Sequence, residues 1–217
     1  MNGGSQGCAY LRPRWRAALQ QRDHGTTCVE ALLFVPALAG AVRVRRRRPA
    51  LPRMACSNGS FHLESPAFRE GDSIPVIHTG QGLNLSPPLR WSGAPTGTRS
   101  FALLVEDPDA PSGTWVHWLL FNIPGEIRAL PAGLERSAEL PNGARHGSCW
   151  GVGPFERIGY QGPLPPPGTA HRYVFELHAL DAPLNLEPGC TVFDLRAAID
   201  PHELARTELT GLYATAA

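Results

Sequence analysis

The stretch EDPDAPSGTWVHW, residues 106–118, concentrates aspartate, proline, histidine and tryptophan in one short segment. Asp107 and Asp109 could together chelate a divalent cation, since carboxylate oxygens are the ligands that hard cations prefer. His117 could serve as a base or as a hydrogen-bonding group that titrates near neutral pH. The prolines around the two aspartates restrict the backbone and favour a rigid turn over a flexible chelate. We therefore interpret Asp109 as a structural acceptor of the turn and Asp107 and His117 as functional residues.

A second pair of candidates, His171 and Tyr173, lies in the apolar stretch HRYVFELHAL. Side chains alternate between the two faces of a strand. This period places His171 on one face with Tyr173, Phe175 and Leu177, and His117 on one face with Trp115, Leu119 and Phe121. Asp107 follows directly after the apolar run SFALLVE. Because binding sites often form where strands of a rigid sheet meet loops, we expect Asp107, His117, His171 and Tyr173 to converge on one pocket.

Short apolar runs separated by Pro and Gly clusters predict the elements that position these residues. We expect strands over residues 73–79, 89–91, 100–106, 115–123 and 172–180. A long irregular region, about 133–170, lies before the last of them. A helix is predicted over 191–199, and a second helix is capped by Asp200, has Pro201 at its first position and runs to about Tyr213. The predicted class is mainly β, with one or two C-terminal helices.

Charge divides the chain into two parts. Residues 1–53 hold ten Arg and two acids, whereas residues 54–217 hold ten Arg and seventeen acids. We interpret 1–53 as a basic extension that is disordered, a targeting segment for an organelle, or a stretch upstream of a true start at Met54. The acidic body, 54–217, argues against nucleic acid as a partner. Five scattered cysteines without zinc-like spacing favour reduced thiols and a cytoplasmic location, and the apolar run 31–42 is too short to span a membrane.

Several motifs occur in order along the body. DPDAP occupies 107–111, HW occupies 117–118, and GYQGPLPPPG at 159–168 runs into HRY at 171–173. In this order and spacing the chain resembles the phosphatidylethanolamine-binding protein family, and within it the bacterial-type branch called Raf-kinase-inhibitor-like proteins. The resemblance covers about residues 61–213.

The resemblance implies a β-sandwich-like fold with a large and a small sheet, and a small pocket for phosphate-type head groups. It assigns the pocket to Asp107, His117, His171 and Tyr173, with walls formed by Pro108, Pro111, Gly162 and Pro166. It implies no cofactor and no metal. Raf inhibition is a family label, since no lysine-rich surface for a kinase exists in this lysine-free chain.

These residues predict a non-catalytic protein that binds a small anionic or phosphate-bearing ligand. Because Asp107 opposes an anion unless a neighbouring histidine is protonated, we expect affinity to rise as pH falls. Two other functions stay open: a metal-dependent or His/Asp hydrolase, and a protein-interaction regulator such as a kinase or protease inhibitor. A homodimer is compatible with the sequence, which does not indicate its interface.

Overall fold

The computed structural model describes residues 59–149 and 157–215. Ten strands and one α-helix occur in these ranges. They are β1 His62–Glu64, β2 Leu89–Ser92, β3 Ser100–Asp107, β4 Trp115–Pro124, β5 Ala129–Leu130, β6 Arg145–His146, β7 Ser148–Cys149, β8 Arg157–Ile158, β9 His171–Leu180, α1 Val192–Ile199 and β10 Glu203–Tyr213. Single 3-10 turns lie at Val76–His78 and Asp200–His202.

The strands form a large and a small antiparallel sheet that pack face to face. The large sheet has the order β10-β9-β3-β4-β6, the small sheet has the order β1-β2-β5, and β7 and β8 form a separate two-stranded ribbon. Leu63, Leu89 and Trp91 of the small sheet share one buried cluster with Phe101 and Phe175 of the large sheet. This apolar core between two sheets is that of a β-sandwich, so the predicted mainly-β class is confirmed.

The outer face of the large sheet is covered by α1. Ala102 and Leu104 of β3 pack there against Leu195 and Ile199 of the helix. A capping box begins α1, in which the Thr191 hydroxyl accepts the Asp194 N–H and the Asp194 carboxylate accepts the Thr191 N–H. Because β3 has apolar neighbours on both faces, its run SFALLV is apolar throughout. No helix in the described part of the chain is long and apolar enough to cross a membrane.

The predicted strand over 73–79 is wrong. Ser73 makes one isolated bridge to Leu212, and the chain then forms the 3-10 turn Val76–His78. Pro75 precedes this turn with φ at −59°, and it has no N–H to donate to a ladder. The apolar side chains of Val76 and Ile77, which suggested a strand, are exposed.

The predicted second C-terminal helix is also wrong. Pro201 does lie in a helical turn, but that turn is the three-residue 3-10 helix, and β10 begins immediately after it. Leu209, Gly211 and Tyr213 are buried at every second position, which is the period of a strand. Pairing with all ten residues of β9 satisfies the backbone of β10 at the edge of the large sheet. The predicted division of the chain at residue 53 lies outside the described residues.

Candidate functional site

A cavity of about 450 Å³ opens where β3, β4 and β9 meet the loops around residues 80, 111 and 162. Seven of the eight residues assigned to the pocket line it: Asp107, Pro111, His117, Gly162, Pro166, His171 and Tyr173. The eighth, Pro108, lies on the exposed side of the turn and is not part of the lining. The structure therefore brings together side chains that are up to 66 positions apart in the chain.

His117 reaches the cavity because β4 is irregular. Val105 of β3 pairs with Trp118, but its neighbour Glu106 pairs with Val116, so one extra residue is accommodated at His117. Such a bulge redirects the side chains on either side of it. Leu119 and Phe121 consequently pack in the cluster beneath α1, whereas the His117 ring lies edge-on to Tyr173 at 5.1 Å. The prediction that His117 shares a face with Leu119 and Phe121 is therefore wrong, and only its shared orientation with Trp115 holds.

On β9 the period of two holds without interruption. Tyr173, Phe175 and Leu177 all belong to the core between the sheets, and His171 and Tyr173 both line the cavity. His171 begins the strand, where the sheet gives way to the loop. The strand end therefore places one imidazole and one phenol side by side.

Asp107 is held by two hydrogen bonds at the end of β3. Its Oδ1 accepts the Asp109 N–H at 2.8 Å, and its Oδ2 accepts the His171 Nδ1–H at 2.8 Å. Asp107 is 3% exposed, so these bonds compensate a carboxylate that has lost most of its water. The acceptor within the turn is thus Asp107, which accepts the backbone N–H of Asp109. The sequence interpretation assigned this role to Asp109 and is corrected here.

Asp109 instead clamps the turn to the first residues of β9. Its two carboxylate oxygens accept three bonds from Arg172: the backbone N–H and Nε–H at 2.9 Å, and Nη2–H at 2.7 Å. The hydrogen bonds from Arg172 lower the pKa of Asp109 to about 2. Every oxygen of Asp107 and Asp109 therefore has a protein donor. Within 59–149 and 157–215, no group of three or more His, Cys, Asp or Glu side chains is placed to hold a metal.

Both pocket histidines have a defined tautomer. His117 Nδ1 lies 2.7 Å from the carbonyl oxygen of Gln161, and His171 Nδ1 lies 2.8 Å from the Asp107 carboxylate. Carbonyl and carboxylate oxygens only accept, so each Nδ1 carries the proton and each Nε2 is the ring nitrogen available to a ligand. Burial lowers the pKa of His117, an effect that the Gln161 hydrogen bond and the Asp107 charge offset in part.

The Tyr173 hydroxyl is a buried polar group of the cavity wall with no hydrogen-bond partner among the described residues. Tyr173 is 1% exposed. Burial first, and then the charge and the hydrogen-bonding influence of the nearby Asp107 carboxylate, raise the pKa of this phenol, so it stays a neutral O–H donor. The Asp107 carboxylate is close to the hydroxyl but does not meet hydrogen-bond geometry with it. A buried donor without a partner costs about 1–3 kcal/mol. Such a group in a cavity wall is typical of a site that a ligand completes.

Sequence reasoning missed eight lining residues: Gly80, Asn84, Ala110, Ser112, Trp115, Gln161, Leu164 and Pro165. Asn84 has a positive φ of 55°, a conformation in which Asn is enriched, but its place in the sequence did not indicate this. Its Oδ1 accepts the Gly162 N–H at 2.7 Å, and the Gly80 N–H donates to the Pro163 carbonyl at 2.8 Å. These bonds join two loops that no local pattern connects.

The loops that line the cavity mouth have no charged residues of their own. Segments 73–89, 110–118 and 159–170 contain no Asp, Glu, Lys or Arg. Leu164 lines the mouth and is 54% exposed, and Leu83, three residues from Gly80, is 71% exposed. Val76 and Ile77 on the same loop are exposed as well. The site thus combines polar groups at depth with an apolar margin, the usual composition of a ligand pocket.

The sequence of this chain is similar to that of known proteins over most of the described residues. Residues 64–214 match the family model described as phosphatidylethanolamine-binding protein. A UPF0098 protein of Methanothermobacter thermautotrophicus is 43% identical over 153 residues, which cover 70% of this chain and 98% of that protein. The UPF0098 protein YbhB of Escherichia coli K12 is 35% identical over 159 residues, with coverage of 70% and 98%.

Two solved structures resemble this one. The crystal structure of CT736, a phosphatidylethanolamine-binding protein homologue from Chlamydia trachomatis, aligns with a TM-score of 0.63 and 36% identity over 73% of this chain and 99% of that one. The crystal structure of E. coli YbcL, described as a member of the mammalian PEBP family, aligns with a TM-score of 0.62 and 32% identity, covering 71% and 98%.

Proposed function

The chain belongs to the phosphatidylethanolamine-binding protein family, and on that premise we propose that it is a non-catalytic binding protein whose cavity holds a phosphate or similar oxyanion group. The observation that carries the proposal is the buried Tyr173 hydroxyl, which has no partner in the described chain and lines the cavity. His117 and His171 line the same cavity, and each has its Nδ1 already bound, which leaves Nε2 for a ligand. Three polar groups in one small cavity suit the several oxygens of a phosphate.

The test is titration calorimetry of the full chain with phosphoethanolamine. We expect saturable binding that weakens about 10- to 100-fold in His171→Ala, because a hydrogen bond to a charged group contributes about 1.5–3 kcal/mol. His62→Ala is the matched control, since His62 is an exposed histidine of the small sheet. Absence of heat with folded protein, or equal loss in both variants, would remove the pocket as a binding site.

The apolar rim favours a ligand whose phosphate is attached to an apolar group. Leu83 and Leu164 offer exposed hydrocarbon surface at or near the mouth, and each buried CH₂ group contributes about 0.8 kcal/mol. A short-chain phosphatidylethanolamine should therefore bind more tightly than phosphoethanolamine. Leu83→Ser with Leu164→Ser should remove that difference and leave phosphoethanolamine affinity unchanged. If the variant weakens both ligands equally, the rim acts through the shape of the cavity rather than through contact with the chain.

One observation favours a hydrolase as the second candidate. His171 has its Nδ1 bound to a buried carboxylate, the arrangement that orients a general base. Turnover of a phosphoester panel that Asp107→Asn abolishes would support this function. Turnover that survives Asp107→Asn would come from elsewhere, and binding without turnover supports the non-catalytic function.

A further inference from the structure

The donors and acceptors of the pocket are not matched to a bare anion. With its Nδ1 proton committed to the Gln161 carbonyl, a neutral His117 has only its Nε2 lone pair left for a ligand in the cavity. Tyr173 contributes an O–H donor, and Asp107 contributes a negative charge at the end of β3. An oxyanion without protons would therefore meet the lone pair of His117 and the charge of Asp107 in the same cavity as the phenolic donor.

His117 is the more enclosed of the two rings. The titratable groups that face it are Asp107 on β3 and His171 and Tyr173 on β9, and on its other side lies the Gln161 carbonyl. His117 is 6% exposed, and burial holds its pKa below the ordinary value. The ring is therefore neutral near neutral pH when no ligand is present.

We propose that the pocket binds an oxyanion together with one proton, which lies between a ligand oxygen and Nε2 of His117. The inference rests on the proposed function and specifies the proton that its ligand needs. An oxyacid that still carries a proton, such as hydrogen phosphate, brings this proton itself. A fully deprotonated oxyanion, such as sulfate or a phosphodiester, binds only when a proton is taken from solvent to His117. Selectivity between the two then depends on pH.

Titration calorimetry with inorganic phosphate and with sulfate tests this on the full chain. Each anion is titrated near pH 6 and near pH 8, in two buffers of different ionisation enthalpy, so that protons taken up are counted. Sulfate binding should take up about one proton and weaken up to about tenfold per pH unit, as linkage to one proton requires. Phosphate, which retains a proton throughout this range, should take up fewer protons and lose much less affinity.

His117→Gln keeps a polar side chain that does not titrate, and His62→Gln is the matched control on the exposed face of β1. His117→Gln should abolish the proton uptake that accompanies sulfate binding, and it should abolish the preference for phosphate at high pH. His62→Gln should change neither. If proton uptake survives in His117→Gln, the assignment to His117 is overturned.

The two proposals fail separately. Equal affinities for both anions at both pH values, with no proton uptake, overturn the proton-coupled inference and leave the pocket intact as an anion site. No binding of phosphoethanolamine, phosphate or sulfate by folded protein overturns the proposed function itself. Should His117→Gln not fold, the wild-type titrations in paired buffers still decide between these outcomes.

Discussion

Replacing Tyr173 with Phe should weaken ligand binding and not destabilise the fold. The hydroxyl is buried and has no hydrogen-bond partner among the described residues, so its removal relieves a desolvation cost of about 1–3 kcal/mol. We expect the free energy of unfolding in urea to stay the same or to rise by about 1 kcal/mol. A hydrogen bond from this hydroxyl to a charged ligand contributes about 1.5–3 kcal/mol, so phosphoethanolamine affinity should fall about 10- to 100-fold.

Tyr160→Phe is the matched control for this experiment. Tyr160 is also buried, but its hydroxyl donates to the His78 carbonyl at 2.7 Å, and it is not part of the cavity lining. Its loss should lower the free energy of unfolding by about 1–3 kcal/mol because the carbonyl is left unpaired. A comparable destabilisation in Tyr173→Phe would refute the reasoning, as would unchanged ligand affinity, since either result means that the hydroxyl is not reserved for a ligand.

Two further predictions concern the wall of the cavity and the opposite side of the sheet. Gly162→Ala should lower the free energy of unfolding and abolish ligand binding, because the added Cβ would lie 2.5 Å from the His78 carbonyl oxygen. Gly59→Ala is the control, since a Cβ there meets nothing within 4 Å. It should change neither urea unfolding nor ligand binding measured by calorimetry. Glu176→Gln should cost about 2 kcal/mol at neutral pH. Hydrogen bonding by His178 lowers the pKa of Glu176 from an ordinary 4.5 to about 2. The wild-type protein therefore loses this contribution to the free energy of unfolding as pH falls from 4.5 towards 2. The free energy of unfolding of Glu176→Gln should depend less on pH in that range.

The strands that sequence reasoning placed correctly are those whose patterns are local. SFALLVE, WVHWLLFNI and RYVFELHAL each became a strand of the large sheet, with bounds within one or two residues. Their apolar runs are long, and turn-forming residues bound them on both sides. Asp107, His117, His171 and Tyr173 all lie at or near predicted strand ends, and they line one cavity in the structure. Their role in binding a ligand stays a prediction.

The errors arose where tertiary contacts override local preference. The sequence ELARTELTGLY after a proline has a helical N-terminal signal, and only the free edge of β9 makes it a strand. Val76 and Ile77 look like core residues, yet Pro75 and the turn after it leave them exposed. Asn84 and Gly162 meet across 78 positions, which no spacing rule detects.

Three local irregularities lie around the cavity. A register shift in β4 occurs at His117, a non-glycine residue with positive φ occurs at Asn84, and an unpaired buried hydroxyl occurs at Tyr173. Irregularities of the same kinds occur elsewhere in the described chain, such as the positive φ of Asn122, so it is their meeting at one cavity that favours a functional role. The bulge moves one imidazole away from the core beneath α1, and the left-handed Asn holds the loop that carries Gly162. On the proposed function, the His117 tautomer, the Asp107 charge and the Tyr173 donor together select the protonation state of the bound anion.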